Sequence, residues 1–505
     1  MAECIESGVD DAEITQEEWA TCSDEKLVQD LHESKFDIGQ EYHLTGKEIR
    51  RIIEESKRNR KEIDPLLDEV RDVLCSIPEN ADLDIISNLQ KDQRRLEQLY
   101  TMEHPLIKAA STELIKYGDP VDYIIKAYNR LHVGDTGIGK VLLLSIACQS
   151  VLNSEGIQPK LSGSSGKGKT HASKAMLHLI PDVGYKIEGS LSAKSLFYQP
   201  DLKAGTVVFS DDVRINDDLE DTLKRSMTNF QQKTTHMTVI KGKPKTLEIP
   251  ERIAWWLTSV ENPFGDELLN RLFGLDVDDS VDQDSAVTKQ QLNQAKYGDV
   301  AFPEDENDIR ICRAIIHMVK DKLFKVYIPY AERIVWNGSS DRRNLPRFLD
   351  LIRAFAAMRF LQRIEFLDNE ILADIKDYED AKVLYEQGKT GLTTKLTEAE
   401  LRLVKYMVGK EPHSVNDIIK DFMKPNGKPY TPEAIRKMLE GKKGGKGLVD
   451  KVPGMLVHGS GGKGDEKKYD IPSFDDGSSL EIVTLKPIAN GPTSRESVSL
   501  ASAGQ

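Results

Sequence analysis

The chain has 505 residues, of which 39% are apolar and 30% charged, and its formal net charge is −14. This length fits about three domains, the composition is that of a globular protein, and the negative charge argues against a protein that coats nucleic acid with its whole surface. No apolar run reaches the ~18 residues of a membrane-spanning helix and no secretory signal is recognisable, so we expect a cytoplasmic protein with no membrane partner.

The N-terminal part divides into an acidic arm and a helical region. Residues 1–40 are predicted to be disordered, because residues 1–35 contain eleven Asp and Glu against two Lys and Arg. Thr45 is a suitable N-cap for the helical region of residues 41–119, in which apolar residues recur at helical spacing. Its helices could pack on themselves or form an oligomerisation collar.

The most informative segment begins at Leu161 and ends at Thr170. Its glycines, lysine and threonine have the G-x-x-x-x-G-K-[ST] spacing of a phosphate-binding P-loop, between a possible strand and an amphipathic helix. Such a loop wraps backbone N–H groups around a triphosphate at a helix N-terminus; Lys169 would reach the β- and γ-phosphates and Thr170 would hold Mg²⁺. The predicted ATP-binding residues are Gly163, Ser164, Ser165, Gly166, Lys167, Gly168, Lys169 and Thr170.

A similar glycine and lysine spacing occurs upstream, at Gly134–Lys140. It ends in Val141, which has no hydroxyl group for a metal ion. We therefore interpret it as a turn that opens a helix over Val141–Leu152.

A P-loop needs an acidic partner on a neighbouring strand. The apolar run Val207–Phe209 predicts a buried parallel strand, and Asp211 and Asp212 follow at its carboxyl end, where α/β sheets place their ligand sites. We assign Asp211 to the metal and Asp212 to the general base, although such a pair could also be an ordinary turn or helix cap.

The next predicted strand, Ile253–Leu257, ends in polar residues. Thr258, Ser259 or Asn262 could orient the attacking water or sense the γ-phosphate, and Ser259 is our candidate; the alternative is a capped strand end. Farther on, Arg271 could stabilise the transition state in a neighbouring subunit's site, or form a surface salt bridge.

Two segments could contact DNA. The pattern of Thr238–Ile249 predicts a β-hairpin with Lys241, Lys243 and Lys245 at its tip, which suits contact with phosphates, although lysines are common at exposed turns. Residues 420–468 contain twelve Lys and Arg against six Asp and Glu. Residues 395–472 predict a winged-helix domain that binds DNA, or alternatively protein, through a third helix and wing that include Arg436, Lys437, Lys442 and Lys443.

In order, these motifs resemble those of superfamily-three helicases and the broader AAA+ class, and more closely the ATPase half of primase-helicase proteins of phages and mobile elements. The resemblance covers about residues 120–385 and includes Gly189–Tyr198, Phe273–Asp278 and Ile328–Ala331. It departs at Val260, where superfamily-three proteins usually have Asn. It does not include the zinc ribbon and polymerising domain found upstream in many such proteins, so the resemblance does not imply priming activity.

The resemblance implies an α/β P-loop NTPase core, AAA+-like with a parallel central sheet. Together with the regions predicted above, the expected fold is this core with an α-helical N-terminal region and a C-terminal winged-helix domain. Residues 120–300 would be the ATPase core, 301–388 a helical lid, and 473–505 a disordered tail. The implied activity is that of an ATP- and Mg²⁺-dependent DNA helicase or translocase, a hexameric, nucleoid-associated replication protein of a mobile element, virus or plasmid. It would act on single strands or forks, with a primase or other replication proteins as further partners. The rival hypothesis is an ATP-switched replication initiator or regulatory DNA-binding protein that does not unwind DNA.

Overall fold

The computed structural model describes most of the chain beyond the acidic arm. The described residues are 43–77, 83–163, 166–189, 192–199, 201–213, 215–240, 243–259, 264–297, 306–336, 342–394, 396, 398–424, 427–441, 447–452, 454–459, 466–472, 474 and 483–485. The predicted arm, residues 1–40, lies outside them. Within these ranges no helix combines the length and apolar character needed to cross a membrane.

Three helices form the N-terminal region: α1 (Gly46–Ser76), α2 (Leu83–Met102) and α3 (Pro105–Tyr117). Thr45 begins α1 with a capping box, in which its hydroxyl accepts from the Glu48 N–H and the Glu48 carboxylate accepts in return. Ile49, Ile52 and Ile53 of α1 pack against α3 in a small core of their own. These helices therefore pack on one another, which is the first of the two alternatives given above for this region.

Helices α4 (Pro120–Leu131) and α5 (Thr136–Cys148) precede the sheet. The predicted turn before α5 is present, but the helix begins at Thr136 rather than Val141 and ends four residues earlier than Leu152. Nearly every residue of α5 is buried, because the helix lies between the sheet and the helices that follow it.

A five-stranded parallel sheet with the order β2-β3-β6-β1-β7 occupies the centre. Its strands are short, and the inner strands β1, β3 and β6 are buried at every residue, which explains the continuous apolar sequence of β3. The chain runs through β1 (Pro159–Ser162), α6 (Lys169–Leu179), β2 (Lys186–Glu188), α7 (Ala193–Leu196), β3 (Val207–Ser210), α8 (Asp217–Thr228), β4 (Thr234–Ile240), β5 (Lys243–Ile249), β6 (Ala254–Thr258), α9 (Asp266–Leu269) and β7 (Phe273–Asp276).

Strands β4 and β5 form the predicted hairpin as a separate two-stranded sheet. Its antiparallel register extends from Thr234 opposite Ile249 to Ile240 opposite Lys243, so the hairpin begins four residues before the predicted start. The chain therefore leaves the central sheet after β3 and returns to it at β6.

The next part adds helices to the same hydrophobic core. These elements are α10 (Val281–Tyr297), α11 (Asn307–Lys320), β8 (Lys325–Tyr327), β9 (Ile334–Trp336), α12 (Asn344–Met358), β10 (Glu365–Leu367), β11 (Glu370–Leu372) and α13 (Ile375–Thr394), with 3₁₀ turns at Ala331–Arg333 and Phe360–Gln362. Residues of α11, α12 and α13 share one buried cluster with α4, α5 and the central strands. The region predicted as a lid is thus packed into the body of the P-loop core.

The C-terminal unit has a separate hydrophobic core. It contains α14 (Glu398–Met407), β12 (His413–Ser414), α15 (Val415–Asp421), α16 (Pro432–Glu440), α17 (Leu448–Lys451), β13 (Leu456–His458) and β14 (Lys468–Asp470). The three strands form an antiparallel sheet with the order β12-β14-β13.

One segment of the predicted disordered tail is a strand. Val483–Leu485 forms β15, which pairs antiparallel with β9. The composition of the tail, rich in Ser, Gly and Pro, gave no indication of this strand. Most of the other residues of the tail lie outside the described ranges.

Candidate nucleotide-binding site

The P-loop joins β1 to α6 as the sequence predicts. Gly163 and Gly168 have φ angles of +141° and +95°, values that side chains other than glycine rarely adopt. A Cβ on Gly163 would lie 2.5 Å from Cγ2 of Val277, so the loop also needs glycine there for space. Ser164 and Ser165, which were predicted to bind ATP, lie outside the described residues.

The two lysines of the loop have different partners. The ammonium of Lys169 donates to the carbonyl of Gly163 at 2.9 Å, and burial lowers its pKa although Asp211 and Asp212 oppose that shift. The Lys169 side chain therefore folds back over the loop. In a nucleotide complex, phosphate oxygens would replace the Gly163 carbonyl as the acceptor of its hydrogen bond. Lys167 instead forms an ion pair with Asp284 of α10 at 2.7 Å, so its side chain ties the loop to that helix.

The acidic pair at the end of β3 meets the start of α6. The hydroxyl of Thr170 lies 2.8 Å from both carboxylate oxygens of Asp211, and the hydroxyl of Thr258 also donates to Asp211. The carboxyl ends of β1, β6 and β3 lie side by side in the sheet, which brings these three residues together from segments far apart in the chain.

Asp212 has an unusual backbone conformation for a residue other than glycine. Its φ is +43°, a left-handed value that costs roughly 1–3 kcal/mol unless the surroundings impose it. The Asp212 N–H donates to the Thr258 hydroxyl at 2.9 Å, and the Val213 N–H donates to the Thr258 carbonyl at 3.1 Å. Thr258 thus fixes the conformation of the acidic pair.

Thr258, not Ser259, makes the contact with the acidic pair. Thr258 is the last residue of β6, and its hydroxyl is directed toward Asp211 at the end of β3. Ser259 is buried, its N–H donates to the Leu161 carbonyl at 3.2 Å, and its hydroxyl has no hydrogen-bond partner among the described residues. Asn262 and Val260 lie outside those residues.

The donor set fits Mg²⁺, a hard cation that prefers oxygen ligands and usually binds through one or two protein oxygens together with phosphates and water. Thr170 and Asp211 supply such oxygens at adjacent positions. No cluster of three or more His, Cys, Asp or Glu side chains that could hold a metal ion occurs in the described part of the chain. A cation at Thr170 would therefore depend on the nucleotide for its other ligands.

Arg271 lies in local contacts. Its Nε donates to the Thr228 hydroxyl at 2.9 Å and its Nη2 pairs with the Glu267 carboxylate at 3.1 Å. Only 12% of its side chain is exposed. Sequence analysis gave two alternatives for Arg271, a role in a neighbouring subunit's site or a salt bridge. Within one chain Arg271 forms the salt bridge, with Glu267.

The predicted DNA contacts are described in part. Lys243 and Lys245 are exposed on one face of the hairpin, opposite Ile240 and Thr238. Arg436 is exposed on α16 and Lys437 is partly buried there. Lys241, Lys442 and Lys443 lie outside the described residues.

Sequence analysis missed a hydrogen-bonded chain beside the P-loop. Asp135, in the turn that begins α5, accepts from His132 Nε2 at 2.8 Å, and His132 Nδ1 lies 2.9 Å from Nδ1 of His171, the residue after Thr170. A Cβ on Gly168 would lie 3.3 Å from the His132 ring, so this ring supports the last glycine of the loop. Burial, and then the neighbouring His132, lower the pKa of His171. Gly134 and Asp135 therefore form the predicted turn, Thr136–Lys140 already belongs to α5, and the turn takes part in the site.

Comparison with known proteins agrees with this geometry. The family described as the MTBMA_p00010 P-loop domain matches residues 106–322, a range that begins before and ends after the predicted 120–300. The protein MTBMA_p00010 of Methanothermobacter marburgensis, which is named as uncharacterized, is 27% identical over 244 residues, 47% of this chain. The match spans 30% of that relative's length, less than a third of it.

Two solved structures were also compared. Both are apo structures of the NrS-1 C-terminal region; each comparison covers 70% of this chain and 76% of that one, at 10% and 13% identity with TM-scores of 0.24 and 0.20. Similarity at these TM-scores carries no argument about fold or function. The loop geometry, the parallel sheet and the family match together identify residues 106–322 as a P-loop domain, a nucleotide-binding fold.

Proposed function

We propose that this protein is an ATP-dependent DNA translocase or helicase of the superfamily-three and AAA+ type, which works as a ring, most simply a hexamer, in the replication of a mobile element, virus or plasmid. The observation that carries the proposal is the meeting of Thr170, Asp211 and Thr258 at one edge of the sheet. It joins a phosphate-binding loop to the acidic group that ATP hydrolysis requires.

Each residue has a role that follows from its position. Lys169 would move from the Gly163 carbonyl to the β- and γ-phosphates, and Thr170 with Asp211 would hold Mg²⁺, which neutralises charge on the phosphates. Asp212 would accept the proton of the attacking water. Thr258 would keep both aspartates in place, and the neighbouring Ser259 stays a candidate for sensing the γ-phosphate.

Arg271 is proposed to complete the site of the next subunit. To do so it must exchange its contacts with Glu267 and Thr228 for the γ-phosphate of that subunit. Both contacts are made by a side chain near the surface, so subunit association could replace them without disturbing the core.

Two surfaces support DNA as the substrate. The exposed lysines of the β4–β5 hairpin suit contact with phosphates without reading sequence. The C-terminal unit combines three helices and a fourth, one-turn helix with a three-stranded antiparallel sheet, an arrangement that supports a winged-helix domain with α16 as the candidate recognition helix.

The test is ATP turnover with and without single-stranded DNA, combined with unwinding of a forked duplex. Lys169→Ala should abolish both activities, whereas Lys174→Ala, an exposed position one turn along the same helix, should retain them. Turnover in the wild-type protein that DNA neither stimulates nor couples to strand displacement would contradict the proposal.

A second candidate is an ATP-switched initiator or regulator. The separate core of the C-terminal unit favours it, because a unit that folds around its own core can bind duplex DNA independently of the ATPase. Tight, sequence-dependent binding of duplex DNA without displacement of a strand in the same assay would favour this second function.

A further inference from the structure

The first half of helix α1 separates its charges by side. From residue 47 to residue 61 it carries seven Lys and Arg against three Glu. Two of these acidic residues are turned toward α3, where Glu48 pairs with Lys116 and Glu55 pairs with Lys108. Most of the negative charge of this stretch is therefore used in contacts with the body of the protein.

Six of the seven basic residues lie on the opposite side of the helix. At about 100° per residue they fall within an arc of roughly 120°, centred roughly 140° from the residues that pack against α3, Ile49, Ile52 and Ile53. All six are exposed, and none of them forms an ion pair with a side chain in the part of the chain that the structure describes. This basic face of α1 consists of Lys47, Arg50, Arg51, Lys57, Arg58 and Lys61.

The basic face is confined to one half of the helix. Glu54 is the acidic residue within it, and beyond Lys61 the exposed charged residues are mainly acidic: Glu62, Asp68, Glu69 and Asp72. The face is about 21 Å long, at about 1.5 Å per residue. Like charges three and four residues apart on a helix repel each other, so this arrangement weakens α1 unless a partner neutralises it.

The surroundings of α1 limit the kind of partner. Its apolar side is already buried against α3, so α1 cannot lie on a membrane with that side among the lipids. Duplex DNA carries one negative charge per about 1.7 Å of its axis, which gives roughly a dozen phosphates along the basic face. The planar guanidinium groups of the three arginines suit phosphate oxygens in particular.

We propose that the basic face of α1 binds the phosphates of a nucleic-acid duplex, without reading its sequence. The inference rests on DNA as the partner in the proposed function. It adds a contact in the N-terminal region, outside the P-loop domain, the β4–β5 hairpin and the C-terminal unit.

The test is the binding of a short DNA duplex of arbitrary sequence to the full chain without nucleotide, measured by fluorescence anisotropy at several salt concentrations. The triple variant Arg50→Gln, Lys57→Gln and Arg58→Gln removes three charges but keeps good helix formers. Its plot of log K against log salt concentration should be shallower than that of the wild-type protein by about 2 to 3, since each phosphate contact contributes about 0.9. Urea titration verifies that the variant is folded.

The matched control removes the same charge elsewhere. Lys126→Gln, Lys174→Gln and Lys289→Gln combine three exposed positions on α4, α6 and α10. This variant should keep the wild-type salt dependence. Equal effects in the two triple variants would mean that net charge, rather than the basic face of α1, determines binding, and would contradict the proposal.

Two other outcomes would overturn the proposal. One is a wild-type protein that binds no duplex at any salt concentration. The other is an α1 variant with the wild-type slope, which would make an acidic protein segment, such as residues 1–40 of this chain, the better candidate for the basic face.

Failure of the proposed function is distinguishable, because DNA-stimulated ATP turnover and unwinding are measured separately. Turnover that DNA does not stimulate, together with a shallower slope in the α1 variant, would contradict the proposed function and support the duplex contact. Stimulated turnover and unwinding, together with an unchanged slope, would support the function and contradict the contact.

Discussion

Asp211 is the residue around which the site is organised. Its carboxylate accepts from Thr170 on one side and from Thr258 on the other, and the next residue has the left-handed backbone that Thr258 holds in place. A single hydroxyl at the end of β6 therefore controls the orientation of one acidic side chain and the backbone of the other.

Replacement of that hydroxyl should impair turnover more than binding. Thr258→Val keeps the size of the side chain but removes the donor to Asp211 and leaves the Asp212 N–H without its partner. We expect kcat for ATP to fall by about 10- to 100-fold, the effect of losing one hydrogen bond to a charged group, while the Kd for Mg²⁺-ADP stays within a few-fold.

Thr258→Ser is the matched control, because it restores the hydroxyl. It should recover most of the turnover. Equal losses in the valine and serine variants would mean that packing of the methyl group, rather than the hydrogen bond, supports the site.

Among the site residues, the sequence predicted those features that depend on the spacing of residues close together in the chain. The P-loop and the acidic pair are recognisable because their residues are neighbours in the chain. The choice of Thr258 over Ser259 depends on which of the two hydroxyls reaches Asp211 on the neighbouring segment, and local spacing alone does not give that. The contact between His132 and His171 joins residues 39 positions apart, and no motif relates them.

In the function proposed above, the β4–β5 hairpin is the element that would turn ATP hydrolysis into movement. Lys243 and Lys245 lie on the same face of it and are exposed. The double variant Lys243→Ala and Lys245→Ala should therefore retain basal ATP turnover and lose most of the stimulation by single-stranded DNA.

Lys233→Ala supplies the control for this experiment. Lys233 lies at the base of the same hairpin and pairs with Glu248 at 2.9 Å. Its replacement removes one positive charge, as each of the two other substitutions does, but leaves the tip of the hairpin unchanged. If this variant loses DNA stimulation as strongly as the double variant does, general charge rather than the lysine face is responsible.

Helix α11 ends in Lys320, a partly buried lysine in the body of the core. The ammonium of Lys320 donates to the Gln149 side chain and to the Gly205 carbonyl, both at 2.6 Å, and burial lowers its pKa to about 7, with a smaller effect of the nearby Arg252. An unfolded lysine titrates near pH ~10.4. Between these values the unfolded chain binds more protons, so stability should rise with pH.

Lys320→Met should remove this contribution. Between pH 7 and 9 we expect the free energy of unfolding to rise less steeply with pH in the variant than in the wild-type protein. The two slopes should differ by up to ~1.4 kcal/mol per pH unit. Urea titrations at each pH measure them. Lys174→Met, at an exposed position, should keep the wild-type slope. Identical slopes in all three proteins would mean that Lys320 stays protonated in the folded state.

Element prediction succeeded where periodicity is strong and failed where contacts between distant parts of the chain decide. The strand β3 and the hairpin follow from apolar runs and turn residues. The polar segment Val281–Tyr297 is helical although its sequence lacks a clear apolar stripe, and Lys167 of the P-loop pairs with its Asp284. β15 is three residues long and depends on its partner β9, which local sequence does not specify.

At the scale of the whole molecule, the proposed ring places one subunit's Arg271 in the site of the next. Lys169→Ala and Arg271→Ala proteins should each be inactive alone. Mixed in equal amounts they should recover about a quarter of wild-type ATP turnover, because half of the sites keep Lys169 and half of their neighbours keep Arg271.

The control is a mixture of Lys169→Ala with wild-type protein at the same ratio, which reports how an inactive neighbour affects an intact site. No recovery in the first mixture, with formation of mixed oligomers verified by pull-down, would show that Arg271 acts within its own chain, where it pairs with Glu267.

The route of the chain between β3 and β6 has a mechanical consequence. After leaving the sheet behind Asp211, the polypeptide forms α8 and the hairpin, and re-enters through β6, whose last residue is Thr258. A five-residue strand is about 17 Å long, and only residues 250–253 separate it from the root of the hairpin. In the proposed translocase, a pull by DNA on the hairpin tip would therefore be transmitted along this short strand to the Thr258 hydroxyl, which positions Asp211.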